Sequence, residues 1–504
     1  MKPLELKTQV TGTDAVAALA AEVPISTSSG FSHSSTTDYA RAYRSGSMSP
    51  VDVAERIIDA IGVSNKTDPP LRAIIKYEPE DIRRQARESA EFLAGGRPRS
   101  ILEGVPVAIK DELDMLPYST HVGTSFLGEE TASEEATVVS RLRAAGALLV
   151  GKTNMYEIGI SPTGNNPIHG FCRNPYDLNH DAGGSSGGSA ASVSSGIVPL
   201  AIGADGGGSI RVPSAHCGVV GLKPTFGRVS EFGAAPLCWS VAHIGPIGAT
   251  ALDTAIGYAI CAGKDPKDSM SLGQPSVRSS DFHNLDLRGI TLGIYPAWFE
   301  DASSEITEQC KETLEVLKTA GAVIREITIE GLEETRVAHA ITTLTEMATA
   351  MEPHYAEHRK SFAHPTRISL AIARSFTSRD YVLAQRVRTE SMREWDRVLS
   401  EVDAVITPTT ACVAPYLDPS TRGYGESDME TMTELMRFVV SANFCGLPAI
   451  SFPAGYNSKG LPVGIQAIGR HWEEHLLLRL ANVAEQKADR NKPKSYHEIL
   501  PPRV

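Results

Sequence analysis

The sequence predicts an α/β fold in which helices cover a sheet. Helix-like and strand-like apolar patterns alternate along most of the chain, which is typical of a layered α/β architecture. Of the 504 residues, 41% are hydrophobic and 21% are charged, so the chain can bury a large core without disulfide bonds. No shift in composition marks a linker between domains. Length alone allows one large domain or two to three smaller ones.

The individual elements are predicted from apolar spacing and capping residues. A polar leader or loop is expected over 1–37, and the folded domain over 38–504. Between 38 and 94 the pattern is helical, and Ser49 before Pro50 supplies an N-cap for one helix. The predicted helices span 50–61, 78–94, 137–145, 303–320, 332–360, 378–399 and 431–445, with a last helix from about 474. The predicted strands span 104–111, 146–152, 322–329 and 404–407.

Composition and charge argue against several functions. The formal net charge of −12 argues against a nucleic acid as the main partner, because a phosphate backbone demands an excess of Lys and Arg. The seven cysteines show no CxxC spacing, and with no apolar secretion signal over 1–30 they predict a cytoplasmic location. No stretch approaches the ~18–20 apolar residues of a membrane-spanning helix. No helix combines a basic face with an aromatic one, so peripheral membrane association is left as an alternative without a sequence signal of its own.

The most informative region is rich in glycine and serine and spans 181–230. It contains Gly183-Gly-Ser-Ser-Gly-Gly-Ser-Ala190, Asp205-Gly-Gly-Gly-Ser-Ile-Arg211 and Cys217-Gly-Val-Val-Gly-Leu-Lys-Pro-Thr225. A flexible linker would stay polar, whereas apolar segments at 190–202 and 217–222 interrupt these glycines. Dense glycine inside a core-forming segment indicates backbone brought close to a ligand.

Other motifs match patterns for different chemistry. The run 146–153 matches a nucleotide phosphate loop, but its middle residues form an apolar strand rather than a glycine turn. Two overlapping G-x-S-x-G runs, 183–187 and 184–188, match the nucleophile elbow of Ser-His-Asp hydrolases. That elbow needs a buried strand before it, and a polar loop precedes it here. Two H-x-x-E-H runs, 354–358 and 471–475, match a zinc pattern, but solvent-facing helix positions account for them better.

Together with the strand over 104–111, the three glycine-containing segments resemble the amidase signature family. The resemblance implies one compact domain: a central twisted mixed β-sheet flanked on both sides by α-helices. It implies a signature core over about 104–230 and substrate-pocket elements over about 330–450. It also implies an amide hydrolase that uses no cofactor or metal ion and that forms a homodimer.

The resemblance assigns a Ser-Ser-Lys relay to three residues. Ser209 matches the nucleophile that forms the acyl-enzyme, Ser185 matches a bridging serine held by a cis peptide bond, and Lys110 matches the base. The expected oxyanion hole is the backbone of Gly206, Gly207, Gly208 and Ser209. The expected supporting residues are Ser186 and Arg211, and the expected substrate contacts are Gly159, Ser185 and Met436.

The chemistry of these residue types agrees with the roles. A serine hydroxyl attacks poorly until a base takes its proton, and lysine acts as a base only when it is neutral. Burial penalises the charged form of an amine, and Lys110 ends an apolar run. The hydroxyl of Ser185 can both donate and accept, so it can pass the proton on. The glycines before Ser209 free backbone N–H groups to face a tetrahedral oxyanion.

The expected substrate is a lipophilic N-acyl amide such as an N-acylethanolamine. Gly206 stands where many family members have threonine, and we expect it to loosen the loop. The fatty acid amide hydrolases of plants share this glycine, and the chain resembles them over nearly its whole length. One face of the predicted 431–445 helix is apolar and is formed by Met432, Met436, Val439 and Val440. This face is a candidate wall of an acyl channel, although an ordinary core face explains the same spacing.

Other substrate classes remain as alternatives. One is an amidase for short-chain, aryl or cyclic amides. Another is the glutaminase subunit of an amidotransferase, which usually has Gln at the position of Val212.

Overall fold

The sheet is the largest feature of the chain in a computed structural model, which describes Leu19 and residues 30–278, 281–421, 424–425 and 428–501. Most of the predicted leader, 1–37, lies outside the described residues. The helices are α1 (Thr36–Ser45), α2 (Pro50–Ser64), α3 (Pro79–Ala94), α4 (Thr137–Ala144), α5 (Gly187–Ser194), α6 (Arg211–Cys217), α7 (Ala251–Cys261), α8 (Pro296–Phe299), α9 (Ser304–Thr319), α10 (Leu332–His358), α11 (His364–Ala373), α12 (Ser378–Glu401), α13 (Met429–Met436), α14 (Val440–Phe444) and α15 (Glu474–Glu485).

The strands lie between these helices along the chain. They are β1 (Ile74–Lys76), β2 (Pro106–Lys110), β3 (Leu148–Thr153), β4 (Arg173–Asn174), β5 (Asp177–Asp181), β6 (Leu200–Ala204), β7 (Val220–Lys223), β8 (Ile244–Gly248), β9 (Thr291–Ile294), β10 (Val323–Glu326), β11 (Ala404–Pro408), β12 (Ala449–Tyr456) and β13 (Pro462–Gly469).

Eleven of the described strands form one mixed sheet, in the order β1-β3-β2-β6-β8-β7-β12-β13-β11-β9-β10. Strand β2 pairs in parallel with β3 and β6, and β9 pairs in parallel with β10 and β11; the other pairings are antiparallel. Helices flank the sheet on both sides, as the sequence predicts. Strands β4 and β5 form a separate pair. Among the described helices, none is long and apolar enough to cross a membrane.

The sheet brings the glycine-rich segments 183–190 and 205–211 together at the carboxyl ends of β2 and β6. In the parallel register of β2 with β6, Ile109 lies opposite Ile202, so the carboxyl ends of the two strands meet. The first glycine-rich segment leads into α5, and the second leads from the end of β6 into α6. The last residue of β2, Lys110, therefore faces both segments.

Most predicted elements are present, with boundaries within a few residues. Helix α2 begins at Pro50, and Ser49 caps it with a capping box to Asp52. The run 146–153 is the buried strand β3 for most of its length, which agrees with our rejection of a phosphate loop. The prediction of helix throughout 38–94 was wrong over 74–76, where β1 pairs with β3 at the sheet edge.

The predicted single helix over 431–445 was wrong. It divides into α13 and α14, and two buried side chains account for the break. The carbonyl of Phe438 accepts a hydrogen bond from Gln466 at 2.9 Å, and the carbonyl of Val439 accepts one from Arg211 at 2.9 Å. The Phe438 carbonyl is thus turned toward β13 and the Val439 carbonyl toward α6, and the predicted apolar face of Met432, Met436, Val439 and Val440 does not form one helix face.

Candidate active site

The amine of Lys110 lies at the centre of a buried polar site. Its Nζ donates to Ser185 Oγ at 2.8 Å and to the carbonyl of Ala204 at 3.1 Å. A third neighbour is Glu112, whose Oε2 is 2.7 Å from Nζ in an ion pair. The Lys110 side chain is 1% exposed, so each of these contacts is shielded from solvent. The expected partnership of Lys110 with Ser185 is therefore present as a direct contact.

Lys110 and Asp111 are adjacent at the end of β2, but their side chains lie on opposite faces. Successive side chains of a strand point in opposite directions. Lys110 accordingly turns toward Ser185 and Glu112, whereas Asp111 turns toward Lys152, with 3.4 Å between Oδ1 and Nζ. The two residues do not form the surface ion pair that their adjacency allows.

Ser185 and Ser186 are held by backbone contacts on both sides. The Gly184–Ser185 peptide bond is cis. The carbonyl of Ser185 accepts from the N–H of Tyr156 at 3.2 Å, and the Ser186 hydroxyl donates to the carbonyl of Ala204 at 3.1 Å. The N–H of Ser186 donates to the carbonyl of Ser209 at 3.2 Å. This last bond joins the two glycine-rich segments directly.

A buried ion pair shapes the loop that carries Ser209. Asp205 accepts from the N–H groups of Gly208 at 2.6 Å and Ile210 at 3.0 Å, and from Arg211 Nε at 3.0 Å. Burial alone would raise the pKa of Asp205, but the adjacent Arg211 guanidinium outweighs burial and holds that pKa well below its usual range. Arg211 also donates to Gln466 Oε1 at 2.6 Å, which anchors the loop to β13. Arg211, an expected supporting residue, thus connects this loop to the sheet.

The loop leaves three backbone donors without an acceptor. Within the described part of the chain, the N–H groups of Gly206, Gly207 and Ser209 make no hydrogen bond. Gly208 was also expected to contribute to the oxyanion hole, but its N–H already donates to Asp205. Unpaired donors next to a serine hydroxyl are the arrangement that stabilises an oxyanion.

Two residues outside the signature segments contact this loop. His339, on α10, has its Nε2 2.8 Å from the carbonyl oxygen of Gly206. Burial lowers the pKa of His339 to about 4, so the ring is neutral near pH 7. On the other side of the loop, a Cβ added at Gly206 would lie only 2.5 Å from Cys238 Sγ. The glycine that we expected to loosen the loop instead admits close packing by Cys238.

An apolar cluster adjoins Ser185. A Cβ added at Gly159 would lie 3.4 Å from Ser185 Oγ and 3.6 Å from Leu237 Cδ1, so Gly159, an expected substrate contact, lies between Ser185 and apolar side chains. The buried members of the cluster are Val122, Met155, Ile158, Leu237, Cys238, Val241, Ala338, Met347, Met351, Phe362, Leu370, Ala384 and Phe444. Half-buried members, including Phe126, Ile160 and Tyr355, extend it.

Met436 lies beside Gly207, in the loop that carries Ser209. A Cβ added at Gly207 would lie 3.2 Å from Met436 Cε. Met436 packs with a small buried cluster of Val212, Leu435 and Val439. Met436 thus contacts the loop, but it belongs to a different cluster from Leu237 and Met155.

The G-x-S-x-G and H-x-x-E-H runs lie in surroundings that do not fit a nucleophile elbow or a zinc site. The segment before Ser185 is the short, mostly half-buried strand β5, which pairs with β4 outside the main sheet, and not the buried strand of a nucleophile elbow. The His358 ring stacks on Phe126, with 4.5 Å between ring centroids. His471 Nε2 is 3.2 Å from the carbonyl oxygen of Cys445. In the described residues, no three His, Cys, Asp or Glu side chains are grouped as metal ligands would be.

Known proteins share both the sequence and the fold. The chain matches the Amidase family over residues 55–478. It is 41% identical to a fatty acid amide hydrolase of Oryza sativa subsp. indica over 474 residues, covering 92% of this chain and 78% of that protein. It is 32% identical to a glutamyl-tRNA(Gln) amidotransferase subunit from Natranaerobius thermophilus over 469 residues, covering 88% of this chain and 94% of that one.

A solved structure agrees with these relatives. The crystal structure of a peptide amidase in complex with the competitive inhibitor chymostatin has a TM-score of 0.79 and 27% identity, over 91% of this chain and 99% of that one. The chain belongs to the amidase signature family and is an amide hydrolase of that family.

Proposed function

We propose that the chain hydrolyses lipophilic N-acyl amides through an acyl intermediate on Ser209. Lys110 is the base, Ser185 relays the proton, and the N–H groups of Gly206, Gly207 and Ser209 form the oxyanion hole. The observation that carries this proposal is the 2.8 Å contact between Lys110 Nζ and Ser185 Oγ, in a site where Ser186 joins the relay to Ser209.

In the proposed acylation step one proton moves along the relay. The Ser185 hydroxyl gives its proton to neutral Lys110 and takes the proton of the Ser209 hydroxyl. The Ser209 oxygen then forms a bond to the amide carbon, and the carbonyl electron pair moves onto the oxygen, which faces the free N–H groups. Collapse of this tetrahedral species breaks the carbon–nitrogen bond, and the relay returns the proton to the departing amine.

Deacylation uses the same groups in the same roles. A water molecule gives a proton to the relay and attacks the acyl carbon, and the Ser209 oxygen leaves with the returned proton. The products are a carboxylic acid and an amine. No redox partner or additional reactant besides water is required.

The apolar cluster supports a lipophilic acyl group. Leu237 and Met155 lie beside Gly159, close to the Ser185 hydroxyl, and further apolar side chains continue from there to half-buried positions. Methionine adapts to flexible ligands, and apolar walls with few polar groups are typical of binding sites for apolar molecules. The relatedness to plant fatty acid amide hydrolases supports the same substrate class. N-acylethanolamines are the specific example that we propose.

Two further properties are proposed from the resemblance. We expect a homodimer and a cytoplasmic location for the enzyme. The amidotransferase role is less well supported, because Val212 is fully buried against Leu435 and Val439 at the position where the glutaminase usually has Gln.

Labelling with a fluorophosphonate tests the nucleophile. We expect the probe to modify Ser209 in the wild-type chain, and expect neither labelling nor amidase activity after Ser209→Ala. Ser195, a buried serine in the turn after α5, provides the matched control Ser195→Ala, which should keep both. Full activity of the Ser209→Ala protein would disprove the acyl-serine mechanism.

A series of straight-chain acyl amides tests the substrate class. Each buried methylene should improve kcat/KM, by up to about fourfold for the ~0.8 kcal/mol that its transfer from water provides. A flat or falling series would contradict the lipophilic preference while leaving the amidase mechanism intact. Ammonia release from glutamine only with a partner protein present would favour the amidotransferase alternative.

A further inference from the structure

The ion pair between Lys110 and Glu112 gives the proposed base a partner that the sequence motifs do not include. Glu112 follows β2 by two residues and points to the same side of the chain as Lys110. Its side chain is 8% exposed, and its own backbone carbonyl accepts from the N–H of Ala235 at 3.0 Å. Glu112 is thus fixed beside the amine by the segment that also carries Leu237 and Cys238.

The three neighbours of Lys110 Nζ differ in what they can offer. The carbonyl of Ala204 and the carboxylate of Glu112 can only accept hydrogen bonds, whereas the Ser185 hydroxyl can donate or accept. A neutral amine has two N–H bonds and one lone pair. Electrostatic repulsion keeps the lone pair away from the two acceptors, so it is left to face Ser185. The surroundings therefore orient the amine to take the Ser185 proton.

The other ionisable groups near Glu112 do not replace this charge. Burial raises the pKa of Glu231 well above its usual range, and Asp268 and Glu112 nearby act in the same direction, so the charged form of Glu231 is disfavoured. Burial likewise raises the pKa of the Cys238 thiol, with the neighbouring carboxylates adding to the shift. Glu346 is occupied by Ser240 and Tyr381, whose hydroxyls donate to its Oε1 at 2.6 Å and 2.9 Å.

We propose that Glu112 is a positioning residue of the relay: its carboxylate orients neutral Lys110 toward Ser185 and stabilises the ammonium that forms when Lys110 accepts the proton. This inference rests on the proposed function. It gives Glu112 the part that the carboxylate has beside the imidazole of a Ser-His-Asp triad. The proton moves from Ser185 Oγ to Lys110 Nζ and back within each half-reaction, so Glu112 gains and loses no proton.

The charge of Glu112 has two opposite effects on the rate. It stabilises the ammonium in the transition state, which raises the rate once Lys110 is neutral. It also stabilises the ammonium in the free enzyme, which opposes formation of the neutral amine. Removing the charge should therefore lower the plateau of the pH–rate profile and move its acidic limb to lower pH. Loss of a merely structural contact would lower the rate equally at every pH.

The test is the profile of kcat/KM against pH for the Glu112→Gln protein. We expect a plateau about 10- to 100-fold lower, the range for losing one charge-assisted interaction, and an acidic limb at lower pH. Glu103→Gln is the matched control. Glu103 is a buried carboxylate paired with Arg99 at 2.7 Å, outside the site, and its loss should leave the limb in place. Glu112→Asp keeps the charge and should keep the limb near its wild-type position.

A double-mutant cycle separates this inference from the proposed function. In a Lys110→Ala background, adding Glu112→Gln should not slow fluorophosphonate labelling of Ser209 further. An additional slowing there, or a Glu112→Gln profile with an unmoved limb, would overturn the role of Glu112. If Glu112→Gln does not fold, the limb of Glu112→Asp decides, and a large displacement overturns the proposal. Unchanged activity after Lys110→Ala would instead overturn the proposed function itself.

Discussion

The hydrogen bond from His339 to the nucleophile loop provides a direct test of how that loop is held. The carbonyl of Gly206 can only accept, so the neutral ring carries its proton on Nε2 and donates to it over 2.8 Å. A His339→Leu substitution keeps much of the volume and removes the donor. It leaves a half-buried carbonyl without this donor, which costs about 1–3 kcal/mol. If the loop shifts to relieve that cost, alignment of the Gly206 and Gly207 N–H groups is lost.

The expected kinetic effect follows from the same energy. A loss of about 1–3 kcal/mol from the transition state lowers kcat by about 5- to 150-fold. KM should change less than kcat, because the lost hydrogen bond is made to the loop backbone at Gly206, although the His339 ring also packs against Phe444 of the apolar cluster. His339→Gln can place an N–H near the position of Nε2, so it should recover most of the lost rate.

The assay is steady-state kinetics with a lipophilic amide, together with urea unfolding of both variants. A ketone inhibitor that forms an oxyanion on Ser209 should bind more weakly to the Leu variant, by the same factor as the fall in kcat. Wild-type kcat in the Leu variant, with only its stability reduced, would refute the view that this hydrogen bond positions the loop.

Three more substitutions test other parts of the site. Burial raises the pKa of Glu157 to about 7, so the protonated carboxyl contributes to stability below about pH 4.5, and this contribution is lost as pH rises through 7. The free energy of unfolding should therefore fall by about 3 kcal/mol across that range in denaturant melts, and Glu157→Gln should remove this pH dependence. Gly206→Ala should lower kcat through contact with Cys238 Sγ, and adding Cys238→Ala should restore it; no rescue would place the cause elsewhere. Arg211→Met should cost about 3–5 kcal/mol because it leaves Asp205 buried and unpaired, and a change below 1 kcal/mol would contradict that ion pair.

The sequence could indicate the residues of the proposed relay because each lies in a local motif. Lys110 ends an apolar run, and Ser185 and Ser209 each lie in a glycine-rich segment of a recognisable kind. The contact between Lys110 and Ser185 agrees with that prediction. The alternation of helices and strands also predicted the fold class, since it depends on spacing within single elements.

The residues that the sequence did not reveal act across long separations. His339 reaches Gly206 from 133 positions away, on a helix whose local pattern carries no signal for this contact. The break between α13 and α14 depends on Arg211 and Gln466, which no local periodicity represents. Glu112 is the exception, because it lies close to Lys110 in the chain. Residues two apart in a strand lie on the same face, so the sequence could have indicated that Glu112 lies beside Lys110.

The pairing of β2 with β6 determines when activity can appear as the chain folds. Lys110 and Ser185 are 75 positions apart, and no local segment can bring them together before the middle of the sheet assembles. Chains dominated by such distant contacts fold slowly, because ring closure must precede any stabilising contact. During refolding, helical circular dichroism should therefore return ahead of amide turnover, and a fragment lacking either strand should carry no catalytic centre.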